Sequence, residues 1–248
     1  VSIFKLNIYT KTYMKRRFIA IVIGLLTLSW ACSDDDDNQI PVIEPEAQGV
    51  FKGVVEYEDE ELEIEFPWVR YGNLEWMTTN LNIDISVDRW STSNGCEISH
   101  TPDRNPIDME IEKKQNYETF GCLYTYEKAS ILCPEGWRIP TDEDWQSLEK
   151  AMGISNTDLN ATDWRGNPVG TLLQEEEGSM INLRTGGMGD NDGFYFTYVY
   201  GFYWTATPEA EESNLHYCRQ ISYNSGKIAR LTIDKGKMLS VRFVRNAK

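Results

Sequence analysis

Three groups of residues have the types and spacing that could do chemistry. In GMGDNDG (Gly187 to Gly193), Asp190, Asn191 and Asp192 could supply oxygen ligands to a calcium ion. The same residue types also make plain turns, because Asn and Asp side chains bond to their own backbone. In VVEYEDEELEIEF (Val54 to Phe66) seven carboxylates crowd together. Leu62, Ile64 and Phe66 alternate there with Glu61, Glu63 and Glu65, so the stretch reads as a strand with one buried and one carboxylate-studded face. Carboxylates on one strand face point in parallel and do not converge on an ion, which favours a solvated face or the guarding of a sheet edge. The third group is two histidines, His100 and His216, with no metal-ligand spacing around them. No Gly-x-Ser-x-Gly elbow, P-loop or His-Glu-x-x-His helix occurs. Acids are numerous enough for a two-carboxylate glycosidase, but nothing singles out a pair. No catalytic residue is assigned, and no cofactor is expected beyond calcium at Asp190 and Asp192.

The elements that must position these groups are legible in part. In WRIPTDEDW (Trp137 to Trp145), Thr141 caps a helix and Asp142, Glu143 and Asp144 occupy its first turn, where the dipole favours negative charge. Trp145, Leu148 and Met152 fall at i, i+3 and i+7, one buried stripe, and Gly153 ends it. Upstream, Thr125 caps a shorter helix, YEKASILC, stopped by Pro134. Tyr71 to Asp84 reads as a turn, a strand through Trp76 and Met77, and a polar exit. Residues 85–118, with Cys96, Pro102 and Pro106, lack periodicity and read as a long loop. Phe194 to Thr207, Leu215 to Tyr223, Lys227 to Ile233 and Met238 to Val244 read as strands, the last three punctuated by Asn224–Ser225–Gly226 and Asp234–Lys235–Gly236. This order predicts an α+β domain, two short helices packed on antiparallel sheets with long loops.

The N-terminus reads as an address. Basic Met14–Arg17 precedes apolar Phe18–Leu28, too short to span a bilayer as a mature helix, and then Ser29–Trp30–Ala31–Cys32. Cys32 followed by SDDDD resembles the lipidation and surface-export signal of Bacteroidetes lipoproteins, which implies acylation at Cys32 and attachment to the outer membrane, facing the exterior. Residues 1–13 precede the expected start at Met14. The expected organisation is a signal segment over 1–31, an acidic flexible tether over 32–50 and a domain over 51–248. Five of the 24 Lys/Arg and none of the 39 Asp/Glu lie in residues 1–31, so residues 32–248 carry 19 basic and 39 acidic side chains, a net of −20. Such a surface excludes nucleic acid as an expected partner.

GCLYTYEKASILCPEGWRIPTDEDWQSLEKAMG (Gly121 to Gly153) resembles the core of the Fibrobacter succinogenes major paralogous domain family. GNLEWMTTNL (Gly72 to Leu81) resembles its opening strand, FYWTAT (Phe202 to Thr207) its Trp-bearing strand and LSVRFV (Leu239 to Val244) its closing strand. The resemblance covers about residues 66–246. The pattern is also similar to the C-type-lectin-like fold and, through RIPTDEDW, to formylglycine-generating-type domains. It implies a lectin-like α+β domain, not an activity. The reactive cysteine pair of the formylglycine-generating enzymes, the histidine triad of related iron oxygenases and the Glu-Pro-Asn and Trp-Asn-Asp sugar motifs of C-type lectins are missing from this chain.

Cys96, Cys122, Cys133 and Cys218 form an even set in a chain read as exported, and three pairings are open. In the resembled fold the first-helix cysteine, here Cys133, bridges to the last strand, where this chain has Phe243. The resemblance therefore favours Cys133–Cys218 and Cys96–Cys122, with free thiols as the alternative. By the same likeness the ligand surface falls in Ser155–Asp192, with Trp164. Tyr195, Tyr198 and Tyr200 alternate with other apolar residues, so one ring set faces out to stack on a sugar, or else closes the core. The expected function is binding of an extracellular glycan or protein at Trp164, Tyr198, Asp190, Asn191 and Asp192. The alternatives are an accessory part of a surface complex and an enzyme of the formylglycine-generating-like fold.

Overall fold

The acidic run Val54–Phe66 is a hairpin, not a single strand. β1 (Ala47–Tyr57) and β2 (Glu60–Tyr71) pair antiparallel from Ala47 opposite Arg70 to Tyr57 opposite Glu60. They turn through Glu58 and Asp59, both at positive φ (49° and 67°), which a two-residue turn matching the strand twist demands. The period-two pattern in the sequence is as read: Ile64 and Phe66 are buried, and Glu61, Glu63 and Glu65 are exposed. The turn escaped notice because Glu-Asp is not Asn-Gly. β1 also begins inside the stretch read as tether. Just ahead of it the Ile43 amide donates to the Gly178 carbonyl (2.8 Å), and the Tyr71 hydroxyl donates to the Ile43 carbonyl (2.7 Å).

The computed structural model describes residues 41–83, 98–100 and 105–248, which belong to one compact unit, Gln39–Lys248. After β2 come β3 (Leu74–Met77), α1 (Pro106–Phe120), α2 (Tyr126–Ile131), α3 (Asp142–Ala151), β4 (Asp163–Arg165), α4 (Val169–Gln174), α5 (Glu176–Ser179), β5 (Met188–Asp190), β6 (Gly193–Tyr195), β7 (Tyr200–Pro208), β8 (Leu215–Ser222), β9 (Ser225–Asp234) and β10 (Val244–Asn246). The strands form two four-stranded antiparallel sheets, ordered β1-β2-β3-β10 and β4-β9-β8-β7, and the small hairpin β5-β6. The α+β class with short helices on antiparallel sheets is therefore present, with five helices among the described residues instead of two.

α3 forms as its sequence dictates. The Thr141 side chain accepts from the Asp144 amide and Asp144 returns a bond to the Thr141 amide, a reciprocal capping box. Trp145, Leu148 and Met152 are buried, each large apolar side chain contributing about 1.5–3 kcal/mol. Trp145 packs on Trp76 of β3 with ring centroids 5.0 Å apart, joining the two sheets through one core.

The acids of α3 do more than oppose a dipole. Asp142 and Glu149, two turns apart, face the β4-β9-β8-β7 sheet and meet its arginines. Asp142 accepts from Arg219 (2.7 Å) and Arg230 (2.8 Å), and Glu149 accepts from Arg165 (2.6 Å) and also from Arg219. Burial alone would raise the Asp142 carboxyl, but the bonds and charges of Arg230 and Arg219 outweigh it and hold it below the usual carboxylate range. Burial pulls the Arg165 guanidinium below its usual value, against the attraction of Glu149.

Four expectations need correction. Residues 106–118, read as loop, belong to a helix: Asn105 caps α1 and Pro106 sits in its first turn. Its isoleucines Ile107 and Ile111 are exposed, while Glu112, Asn116 and Phe120 face the domain, so the apolar spacing that betrays a helix is absent. Phe194–Thr207 is two strands, β6 and β7, parted by a turn at Phe196–Val199. Met238–Val244 is a strand only at its end, because this buried segment bonds in turn to Gly189, Tyr124, Phe202 and Arg138 instead of to one neighbour. Finally, Cys133 and Cys218 are free thiols. Cys133 follows α2 with its thiol toward the Pro134 carbonyl, while Cys218 lies within β8, and burial pushes both thiols up to about 12. Cys122 is disulfide-bonded; Cys96, the partner expected for it, lies outside the described residues, as does Cys32.

Candidate functional site

Asp190, Asn191 and Asp192 form the tip of the β5-β6 hairpin. Asp190 ends β5, and its carboxylate closes the turn by accepting from the Asp192 amide (2.9 Å) and the Tyr195 hydroxyl (3.3 Å). Its other oxygen pairs with the Lys237 ammonium. That hydrogen-bonded ammonium holds the Asp190 carboxyl below the usual carboxylate range, and Asp190 in return raises Lys237. Asp190 is thus already committed to a side-chain cation. Among the described residues no three His, Cys, Asp or Glu side chains cluster to hold a metal ion.

The hairpin tip and α1 line an open cavity of about 640 Å³. Phe194 and Tyr195 supply its rings, the Asp190–Asp192 tip its polar rim, and Lys113 of α1 a cation. His100 closes one side, its ring 4.9 Å from that of Phe194 and its Nδ1 3.1 Å from the Ile98 carbonyl oxygen. An apolar wall with a few polar groups is the usual make-up of a small-molecule site.

Beside the cavity runs a row of rings. Tyr195 meets Phe196 (6.4 Å between centroids), Phe196 meets Tyr200 (5.4 Å), and Tyr200 meets Trp164 of β4 (6.1 Å). Phe196 is 48% exposed and Tyr198 49%. Both have positive φ, 62° and 68°, a region that costs a residue with a Cβ roughly 1–2 kcal/mol. Tyr198 is held there by its surroundings: its amide donates to the Thr185 carbonyl, its hydroxyl donates to Asn116 Oδ1 (2.8 Å) and Glu112 Oε1 (3.3 Å), and its ring meets Phe120 edge-on.

The structure therefore gathers Asp190, Asn191 and Asp192 at one cavity, sets Trp164 at the far end of the ring row, and turns the Tyr198 hydroxyl onto α1. Sequence reasoning missed Lys113, since α1 went unrecognised; Asn105–Pro106–x–Asp108 was the available signal. His216 is an ordinary strand histidine. It is buried on β8 with Nδ1 3.2 Å from the Thr205 carbonyl oxygen, and its ring lies 4.2 Å from that of Tyr126.

A family model described as the Fibrobacter succinogenes major domain matches residues 69–245. No curated protein matches the chain, and no solved structure does.

Proposed function

Because the chain belongs to the Fibrobacter succinogenes major domain family, we propose that it is a surface-exposed bacterial lipoprotein whose lectin-like domain binds an extracellular glycan without catalysis. The observation that carries this reading is the cavity walled by Phe194 and Tyr195, next to exposed rings held in a left-handed backbone. Sugars present an apolar face that stacks on such rings and hydroxyls that bond to a polar rim like Asn191 and Asp192. Bulky residues kept at positive φ are a cost that selection tolerates where the loop itself is used. The address rests on Cys32 and the acids behind it.

The ligand is held without calcium, because Asp190 is paired with Lys237. The test is a glycan array probed with the full chain, with calcium and with chelator. Binding to some glycans, equal in both conditions and lost in Tyr195→Ala, is the expected result. A blank array sinks the glycan reading and leaves a structural role in a surface complex as the second one. For the address, Cys32→Ala should abolish lipid labelling; labelling that persists defeats the lipoprotein assignment.

A further inference from the structure

The geometry points to an anionic-sugar subsite at Lys113, so that the ligand of this cavity is an acidic glycan carrying a carboxylate or sulfate. This rests on the glycan reading above and narrows it. Lys113 is only 7% exposed, yet it lines the cavity. Among the described residues its ammonium makes no hydrogen bond and no ion pair, and it is not one of the polar atoms shut off from solvent. The methylene stem is covered by the domain while the charge is left to the cavity's water. The covered stem fixes where the ammonium stands, and with no partner among the described residues it is free to meet an anion that enters the cavity. The neighbouring carboxylates among the described residues do not supply the pair. Asp190 is bound to Lys237, and Glu112, next to Lys113 on α1, accepts the Tyr198 hydroxyl. Asp192 stands exposed at the hairpin tip, where solvent screens its charge. Among the described residues, the one cation of the cavity wall without a counter-charge is therefore Lys113.

Its placement suits a sugar acid. Phe194 and Tyr195 give a pyranose its stacking wall, and Lys113 gives the acid group a charge-assisted bond. The bulk charge of the chain does not account for this, since residues 32–248 carry a net of −20 and would by themselves repel an acid. An acidic glycan is thus selected by one local cation against an opposing field, which makes the choice depend on that residue.

The test is an array of neutral, uronate-containing, sialylated and sulfated oligosaccharides, probed with the full chain as wild type, Lys113→Arg, Lys113→Gln and Lys113→Met. Melting curves confirm that each variant is folded, and the uronate and sulfate arms tell the two acid groups apart. Wild type is expected to prefer acidic over neutral members. Lys113→Arg should keep that preference, and Lys113→Gln and Lys113→Met should lose roughly ten- to a hundredfold in affinity for the acidic members, the size of one hydrogen bond to a charged group. Equal binding of neutral and acidic glycans, or unchanged affinity in both neutral variants, overturns the subsite and leaves the glycan reading standing. A blank array overturns both.

Discussion

At the scale of single residues, the charged groups that matter most are hidden. Thr141–Asp144 shows in the sequence as a helix start, and Asp144 behaves as that reading expects. Asp142 does not, because its partners lie 77 and 88 residues away, and no local spacing can announce them. Arg219 is wholly buried and joins Asp142 to Glu149, so removing one member leaves charge without compensation. Asp142→Asn preserves shape and removes the charge. It should cost about 3–5 kcal/mol, measured by urea denaturation at pH 7. The pH dependence has a definite sign. Arg230 and Arg219 hold the folded carboxyl below its unfolded value of about 3.9. The stabilisation is therefore complete above that value and is lost as pH falls through the folded one. Wild type should lose stability below about pH 4 more steeply than Asp142→Asn; parallel acid slopes in the two proteins would refute the role given to this carboxylate.

At the scale of elements, what was legible is what is local. The capped, striped α3 and the strands β8 and β9 follow from the sequence, because capping residues and side-chain alternation act over a few positions. α1 was not legible, since its buried face is polar and its isoleucines point outward. The β1-β2 hairpin was half legible: the alternation set its faces, but Glu58–Asp59 concealed its turn. That concealment has an energetic side. Two side-chain-bearing residues sit at positive φ where Asn-Gly is preferred. Both carry negative charge beside Glu56, Glu60 and Glu61. Replacing the pair by Glu58→Asn and Asp59→Gly relieves the backbone strain and some of the repulsion. The double variant should gain about 1 kcal/mol, seen as a higher denaturation midpoint with an unchanged slope. A midpoint that stays level or falls would mean that the turn is not strained, or that its carboxylates have partners worth keeping.

At the scale of the whole molecule, the fold was readable and the cavity was not, for a physical reason. The family motifs sit in contiguous elements, whereas the cavity is assembled from α1 and the β5-β6 hairpin, and the Tyr198–Asn116 bond that ties this loop to α1 spans 82 residues. Its cation came from the helix that the sequence hid. The distribution of charge now separates two forces of opposite sign. In the complex proposed above, a net of −20 over residues 32–248 would repel an acidic glycan at long range, while Lys113 would attract it on contact. Salt acts on these differently, because the screening length falls from about 30 Å at 0.01 M to about 8 Å at 0.15 M, and a covered contact is screened far less than an exposed field. Raising salt across that range should therefore speed association of an acidic oligosaccharide, by roughly three- to tenfold, with little change in dissociation. Surface-immobilised glycan and flowing protein would show this as affinity that improves with salt, the reverse of ordinary electrostatic steering. Association that slows with salt would mean that attraction reaches well beyond the cavity, and that a basic surface larger than Lys113 guides the ligand.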